Sequence, residues 1–323
     1  MDQERGAEAQ AAKRIKEKAD NFRANVSTVM VGKERAIDLI FITLLCEGHV
    51  LIEDVPGVGK TLLAKATARS LDCTFKRIQC TPDLLPSDVV GTQFFNQKNC
   101  EFEFRPGPIL ANIVLVDEIN RAMPRTQSCL LESMQEQQVT VDLKTVPLPR
   151  PFMLMATQNP IELEGTFPLP EAQLDRFLLK VKIGYPTPGE EAAVLSRFQI
   201  ANPLDRLQSV MGAAELLELQ ALCRRIFIED SVREYIIAIN GSTRTHRDIK
   251  LGTSPRCALA LQSASQAMAG LQGRSYVLPD DVKALAAAVL SHRVIMKTEA
   301  RLRGRTEQEV IEEILSSVPV PTE

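Results

Sequence analysis

The chain is 323 residues long, 45% hydrophobic and 24% charged, with a formal charge of −3, which describes an ordinary water-soluble globular protein with room for about two domains. That charge gives no electrostatic footprint for nucleic acid, and no basic stripe interleaved with aromatics appears, so nucleic acid is not the default partner. Cys46, Cys73, Cys80, Cys100, Cys129, Cys223 and Cys257 are scattered without a C-x-x-C pair, which points to reduced thiols in a cytoplasmic protein, and no apolar run approaches the roughly 18 residues of a membrane span.

Residues 1–25 are polar and charged, rich in Lys and Glu, and are predicted as a helix; they lack the apolar core of a signal peptide. An apolar helix from Ile37 to Cys46 leads to a first strand, Val50-Leu51-Ile52-Glu53. That strand runs directly into Asp54-Val55-Pro56-Gly57-Val58-Gly59-Lys60-Thr61, a glycine-rich turn that opens a helix. Gly57 and Gly59 let backbone N–H groups close on phosphate oxygens, and Lys60 can reach the β- and γ-phosphates of a nucleotide. Thr61 can offer its hydroxyl to Mg²⁺, and the helix start presents its positive end. The general pattern G-x-x-x-x-G-K-[ST] fails at one place, where Asp54 stands at the first glycine. The plainer alternative is a tight turn with an exposed lysine.

Phe75 to Ile78 reads as the next strand. Thr92 to Phe104 follows as a β-hairpin, with Phe94, Phe95, Phe102 and Phe104 flanking Asn96 to Asn99; these aromatics either pack locally or face a partner or substrate. Ile113 to Val116 is a buried-strand run that ends in Asp117-Glu118. Strand side chains alternate between faces, so adjacent acids can converge on one site only where strand gives way to loop. Asp117 then reads as the residue that holds Mg²⁺ through its waters, and Glu118 as the carboxylate that orients and deprotonates an attacking water. Two solvated acids capping the next helix would be the alternative, against which stand Lys60 and Thr61 upstream.

A second hairpin spans Gln138 to Val146, although Leu143 spoils the favoured Asp-Gly turn after Asp142. Strands over Phe152 to Ala156 and Leu178 to Ile183 complete an alternation that predicts an α/β domain with a parallel sheet flanked by helices. Lys60, Asp117 and Asn159 lie just past strand ends, where such sheets bind ligands.

Tyr185-Pro186-Thr187-Pro188-Gly189 breaks both helix and strand. It is the expected boundary between an α/β domain at 26–185 and a smaller helical domain at 186–323. There, a helix opens with Ser254 as N-cap and Pro255 at its first position and runs to Gly270. Another runs from Pro279 to His292-Arg293, with charges matched to the macrodipole. A last one starts at the Thr306 and Glu309 capping box. Arg256, a cation in the first turn of its helix, opposes the dipole by roughly 0.3–1 kcal/mol; a nucleotide phosphate or a surface salt bridge would offset that. Arg176, in Leu174-Asp175-Arg176-Phe177, either pairs with Asp175 or projects to a neighbouring subunit's γ-phosphate.

Over residues 26–323 the chain resembles the MoxR group of the AAA+ ATPases. The resemblance rests on the Walker A segment Asp54 to Thr61, the Walker B segment Ile113 to Glu118 with Ile119-Asn120-Arg121-Ala122, and the sensor strand ending Ala156-Thr157-Gln158-Asn159-Pro160. It rests equally on Glu164 to Phe177 and on Ser254-Pro255-Arg256. Asp54 resembles a variant that this group tolerates, and the hairpins look like the helix-2 insert and pre-sensor hairpin of this branch. The resemblance implies an AAA+ core followed by a helical lid, with ATP and Mg²⁺ as cofactors. Val31 and Gly32 would lie beside the adenine, Val55, Pro56, Gly57, Val58, Gly59, Lys60, Thr61 and Leu62 around the phosphates, and Thr61 and Asp117 at the metal. It makes Glu118 the catalytic carboxylate, Asn159 the sensor-1 residue, Arg176 a finger acting on the neighbouring subunit, and Arg256 the sensor-2 arginine.

A finger of that kind implies a homo-oligomeric ring, a hexamer in this group. Similar proteins are chaperone-like ATPases that mature protein clients with von Willebrand factor A domain partners. This chain contains no D-x-S-x-S motif, so such a partner would be a separate polypeptide. Two other readings stay open: a magnesium-chelatase-like motor or DNA translocase of the same branch, and a nucleotide-gated assembly module with negligible turnover. Salt-sensitive DNA binding would favour the translocase, and the presence of Glu118, Asn159 and Arg176 speaks against the module.

Overall fold

A computed structural model describes residues 2–141, 144–159 and 165–321; Asp142, Leu143, Pro160 and Glu164 lie outside the described residues. The strands up to residue 185, in chain order, are β1 (Val50–Glu53), β2 (Phe75–Gln79), β3 (Gly91–Asn96), β4 (Glu101–Pro106), β5 (Ile113–Asp117), β6 (Gln138–Val141), β7 (Lys144–Pro147), β8 (Met153–Gln158) and β9 (Leu179–Val181). Five of them form one sheet in the order β2-β5-β8-β1-β9, and every pairing in it is parallel. Such a sheet is covered on both faces, which is why its strands read as continuous apolar runs.

Alternation sorts those runs into two cores. Val50, Ile52, Ile113, Leu115, Met153 and Met155 join one buried cluster, while Leu51, Val114, Val116, Leu154 and Ala156 join the other. The first cluster is the larger, and it continues from the sheet into the helices beyond residue 212. It also takes in Ile15, Ala19, Phe22 and Val26 of the first helix, Asp2–Ser27. Its average polarity concealed an apolar stripe at helical spacing; the helix expected from its charge alone packs into the core.

The two hairpins form as expected, with β3 paired to β4 and β6 to β7. In the first, Phe94, Phe95 and Phe102 stand out into solvent, 45%, 50% and 70% exposed, and Phe95 meets Phe102 edge-on with ring centroids 5.3 Å apart. Phe104 differs from them, because it packs against the second core cluster.

After β9, Gly184 turns with positive φ, and Thr187 caps the helix Pro188–Ile200 through a capping box with Glu190. From there the chain is almost wholly helical. The helix starting at Pro255 runs to Leu271, but Ser254 makes no side-chain cap bond; its hydroxyl donates instead to Asp175 at 3.2 Å. Thr306 and Glu309 form the expected capping box.

His49 fastens the amino end of β1. Its Nδ1 accepts the Leu154 N–H at 3.0 Å, and its Nε2 lies 3.1 Å from the Met134 carbonyl, so the ring is neutral with its proton on Nε2. Burial lowers its pKa to about 4, against the pull of the Met134 carbonyl. Between pH 6.5 and 4 the unfolded chain therefore binds the extra proton, and the stability His49 contributes is complete above pH 6.5 and lost as pH falls through about 4. We expect urea-unfolding free energy to fall between pH 7 and pH 4 by about 3 kcal/mol more in the wild type than in His49→Gln. Equal slopes in the two proteins would show that the buried ring does not control this titration.

Candidate active site

β1 ends at Glu53, and the backbone then wraps into a loop that closes on the helix Lys60–Ser70. Gly57 and Gly59 take φ of 86° and 93°, a region that costs an L residue with a side chain about 1 kcal/mol or more. This turn aims the first amides of the helix into the loop. Lys60 Nζ donates to the Asp54 carbonyl at 2.5 Å. Partial burial lowers the lysine pKa, while Asp54, Asp117 and Glu118 pull it back up, which sets the ammonium within electrostatic reach of both acids at the end of β5.

Asp54, the residue out of pattern, is buried and fully used. One carboxylate oxygen accepts the N–H groups of Ile183 and Gly184, both at 2.7 Å, and the other accepts that of Val55 at 2.9 Å. A glycine could not tie the loop to the exit of β9 in this way.

Asp117 is the last residue of β5, and Glu118 turns left-handed with φ 57°. That break is what lets two neighbouring acids face one site. Thr157 on β8 joins them: its hydroxyl donates to Asp117 Oδ1 at 2.6 Å and accepts the Glu118 N–H at 2.9 Å. Arg77 donates twice to Asp117 Oδ2, while Gln79 and Arg121 donate to Glu118 Oε2, each at 3.1 Å. Sequence reasoning missed Arg77, Gln79 and Thr157. Arg77 and Gln79 alternate with buried Ile78 on a strand adjacent to β5, which is the signal that was available.

Asn159 is buried one residue past β8, beside Gln158, whose carbonyl accepts the Asp54 N–H at 3.3 Å. Met30 packs its methyl against Gly59, which brings Val31 and Gly32 next to the loop. The structure thus gathers Val31, Gly32, residues 54–62, Asp117, Glu118 and Asn159 at the carboxyl end of the sheet. The donor set suits a magnesium nucleotide. The Thr61 hydroxyl makes no hydrogen bond among the described residues, and the Asp117 carboxylate keeps one of its four lone-pair sites after two bonds from Arg77 and one from Thr157.

Arg176 and Arg256 are elsewhere. Both line a cavity of about 380 Å³ with Gly48, His49, Asp175 and Arg293. Gly48 and His49 precede β1, and the Leu178 N–H bonds the His49 carbonyl, so this cavity lies at the amino end of the sheet. The four residues of β1 put it about 13 Å or more from the loop. Within one chain, then, Arg256 does not reach the phosphate loop as expected, because Ser254 and Cys257 dock the start of its helix on Asp175. Nor does Arg176 pair with Asp175. That carboxylate is taken by Arg293, at 3.0 Å, and neither Arg176 nor Arg256 makes an ion pair among the described residues.

Fold and site together define a P-loop ATPase of the AAA class. Residues 49–179 match the family described as "ATPase family associated with various cellular activities (AAA)", and residues 241–314 match an AAA lid domain. The chain is 50% identical over 299 residues to YeaC of Bacillus subtilis, covering 93% of each protein. It is 40% identical over 305 residues to the chaperone MoxR1 of Mycobacterium tuberculosis, covering 92% of this chain and 80% of that one. A crystal structure of a candidate ATPase from Cytophaga hutchinsonii superimposes with TM-score 0.92 at 38% identity, over 99% of both chains. The chain belongs to the MoxR group of AAA+ ATPases. No helix among the described residues is long and apolar enough to cross a membrane.

Asp54→Gly restores the general phosphate-loop pattern, and on the geometry above it should harm the protein. It strands the Ile183 and Gly184 N–H groups, so we expect a stability loss of about 1–3 kcal/mol in urea unfolding. A variant as stable as wild type would show that the two amides find other partners.

Proposed function

We propose that this ATPase works as a homo-oligomeric ring, hexameric by its resemblance, in which each nucleotide site is shared by two subunits. In this reading one subunit, through residues 26–185, supplies the phosphate loop, and Arg176 together with Arg256 of the lid-bearing face comes from its neighbour. The observation that carries the reading is the parallel sheet, which sets the two arginines at the opposite end from Lys60 in the same chain.

The roles follow from chemistry. Val31 and Gly32 border the adenine, the amides of Val55 to Leu62 surround the phosphates, and Lys60 neutralises charge on them. Mg²⁺, held by Thr61 and by Asp117 through water, would supply further neutralisation of the β- and γ-oxygens. Glu118 takes the proton of the attacking water, with its orientation set by Gln79 and Arg121. Asn159 orients that water without competing for its proton, and the neighbour's arginines offset charge developing on the γ-phosphoryl oxygens.

The work performed is remodelling or maturation of protein clients, with a separate von Willebrand factor A domain protein as partner, in the cytoplasm. A relative named as a chaperone supports the client role, as do the solvent-exposed Phe94, Phe95 and Phe102 on the first hairpin, since exposed aromatic clusters mark interaction surfaces. Residues 186–323 form the lid in this scheme.

Glu118→Gln should bind ATP as the wild type does and hydrolyse it about 10²–10⁴-fold more slowly, since shape is kept and the base removed. Wild-type turnover in this variant would move the role to another carboxylate. The shared site has its own test: Arg176→Ala and Lys60→Ala should each be inactive alone. Mixed, they place an intact loop against an intact finger, and hydrolysis should return. No recovery at any ratio, with subunit exchange shown by labelled protein, would refute sharing.

A further inference from the structure

Arg293 was expected to match the macrodipole of the helix that closes near it. Its side chain is only 2% exposed. One bond fits the expectation: Nη1 donates at 2.7 Å to the carbonyl of Val289, in the last turn of Pro279–Leu290. The rest of the guanidinium faces the segment that carries Arg176. Nη1 also donates to the Leu178 carbonyl at 3.3 Å, and Nη2 donates to those of Phe177 at 2.7 Å and Asp175 at 3.2 Å. Nε stands 3.0 Å from Asp175 Oδ1. The neighbouring His292, also buried, adds a contact to the Phe177 carbonyl at 2.9 Å.

Asp175 carries this grip across to Arg256. Its carboxylate accepts from Ser254 at 3.2 Å and from the Cys257 thiol at 3.5 Å, either side of Arg256 in the first turn of its helix. One buried cation thus holds the backbone on either side of Arg176 directly and the helix start around Arg256 through one carboxylate. Of the two acids that line this cavity, it occupies Asp175, while Glu47 pairs with Arg224, and so the Arg176 and Arg256 guanidinium groups are left for another partner. Burying a charge is costly unless it is paired and hydrogen-bonded, and only a planar, five-donor fork can serve several carbonyls and a carboxylate at once.

We propose that Arg293 is a positioning residue for hydrolysis on the neighbouring subunit: it fixes Arg176 and Arg256 as a pair and has no part in nucleotide binding by its own chain. This rests on the shared-site reading above. Arg293→Met should keep ATP affinity within about twofold and lose about 10²-fold in hydrolysis, the cost of an ångström-scale misplacement. Arg293→Lys should fail similarly, since an ammonium keeps the charge without the fork. Mixing Arg293→Met with Lys60→Ala should restore activity, because the second subunit brings an intact finger; mixing it with Arg176→Ala should not. Asp175→Asn, equal in shape, takes the place of Arg293→Met should that variant not fold.

Wild-type hydrolysis in these variants would overturn the proposal. So would a loss that Lys60→Ala cannot rescue while the control pair, Arg176→Ala with Lys60→Ala, recovers. If the control pair also stays inactive, the shared site itself falls, and the positioning role with it.

Discussion

Parallel pairing in the central sheet determines what one chain can and cannot bring together. All five strands point the same way, so the loops that leave them collect the phosphate loop, the paired acids and Asn159 at one end. The segments that enter them collect Gly48, His49, Asp175 and Arg176 at the other. No side chain spans that distance. Arg176 and Arg256 could therefore act at a γ-phosphate only on the loop of another chain.

Charge tells the same story at the amino end. Arg176, Arg256 and Arg293 share one cavity with Asp175 and Glu47, and both carboxylates are already committed, Asp175 to Arg293 and Glu47 to Arg224. Burial lowers the pKa of Arg293, Cys257 and Asp175 oppose the shift, and the neighbouring Arg256 adds to it. Two uncommitted guanidinium groups at the rim of a cavity form a site that favours an anion. At the carboxyl end acids and cations are matched instead, with Asp117 and Glu118 paired to Arg77 and Arg121.

How far this was legible depended on whether the signal was local. Gly57, Gly59, Lys60 and the Asp117-Glu118 pair announced themselves because a strand end and a turn are written in consecutive residues. The five strands were legible too, since burial on both faces leaves apolar runs such as Ile113 to Val116. What stayed hidden involved partners far apart in sequence. Asp54 looked like a defect in a motif until its bonds to Ile183 and Gly184 were seen. Arg293 looked like a helix-end charge until the Asp175 to Leu178 segment was found against it. The apolar stripe of the first helix, with Ile15 and Phe22 fully buried, was diluted by the Lys and Glu around it.

These hidden contacts also locate where the molecule can give. Asp54 ties the phosphate loop to the exit of β9, and Arg293 ties the later helices to the entry of the same strand. The strand between them is three residues long. A shift of the loop is therefore passed to Ile183 and Gly184 rather than absorbed there, and it meets Gly184, whose positive φ and lack of a Cβ contact make it the easiest point to turn. The helix that follows, Pro188–Ile200, has no buried residue among those whose exposure is described; Lys33 bonds the Tyr185 carbonyl just before it, and Arg197 near its end donates to the carbonyls of Ser27 and Thr28. With so little packing to break, this helix can move at low cost, whereas the arginine pair, gripped by a buried guanidinium, cannot. The fold thus places its compliant connection beside the phosphate loop and its stiffest one beside the arginines that would face a neighbour.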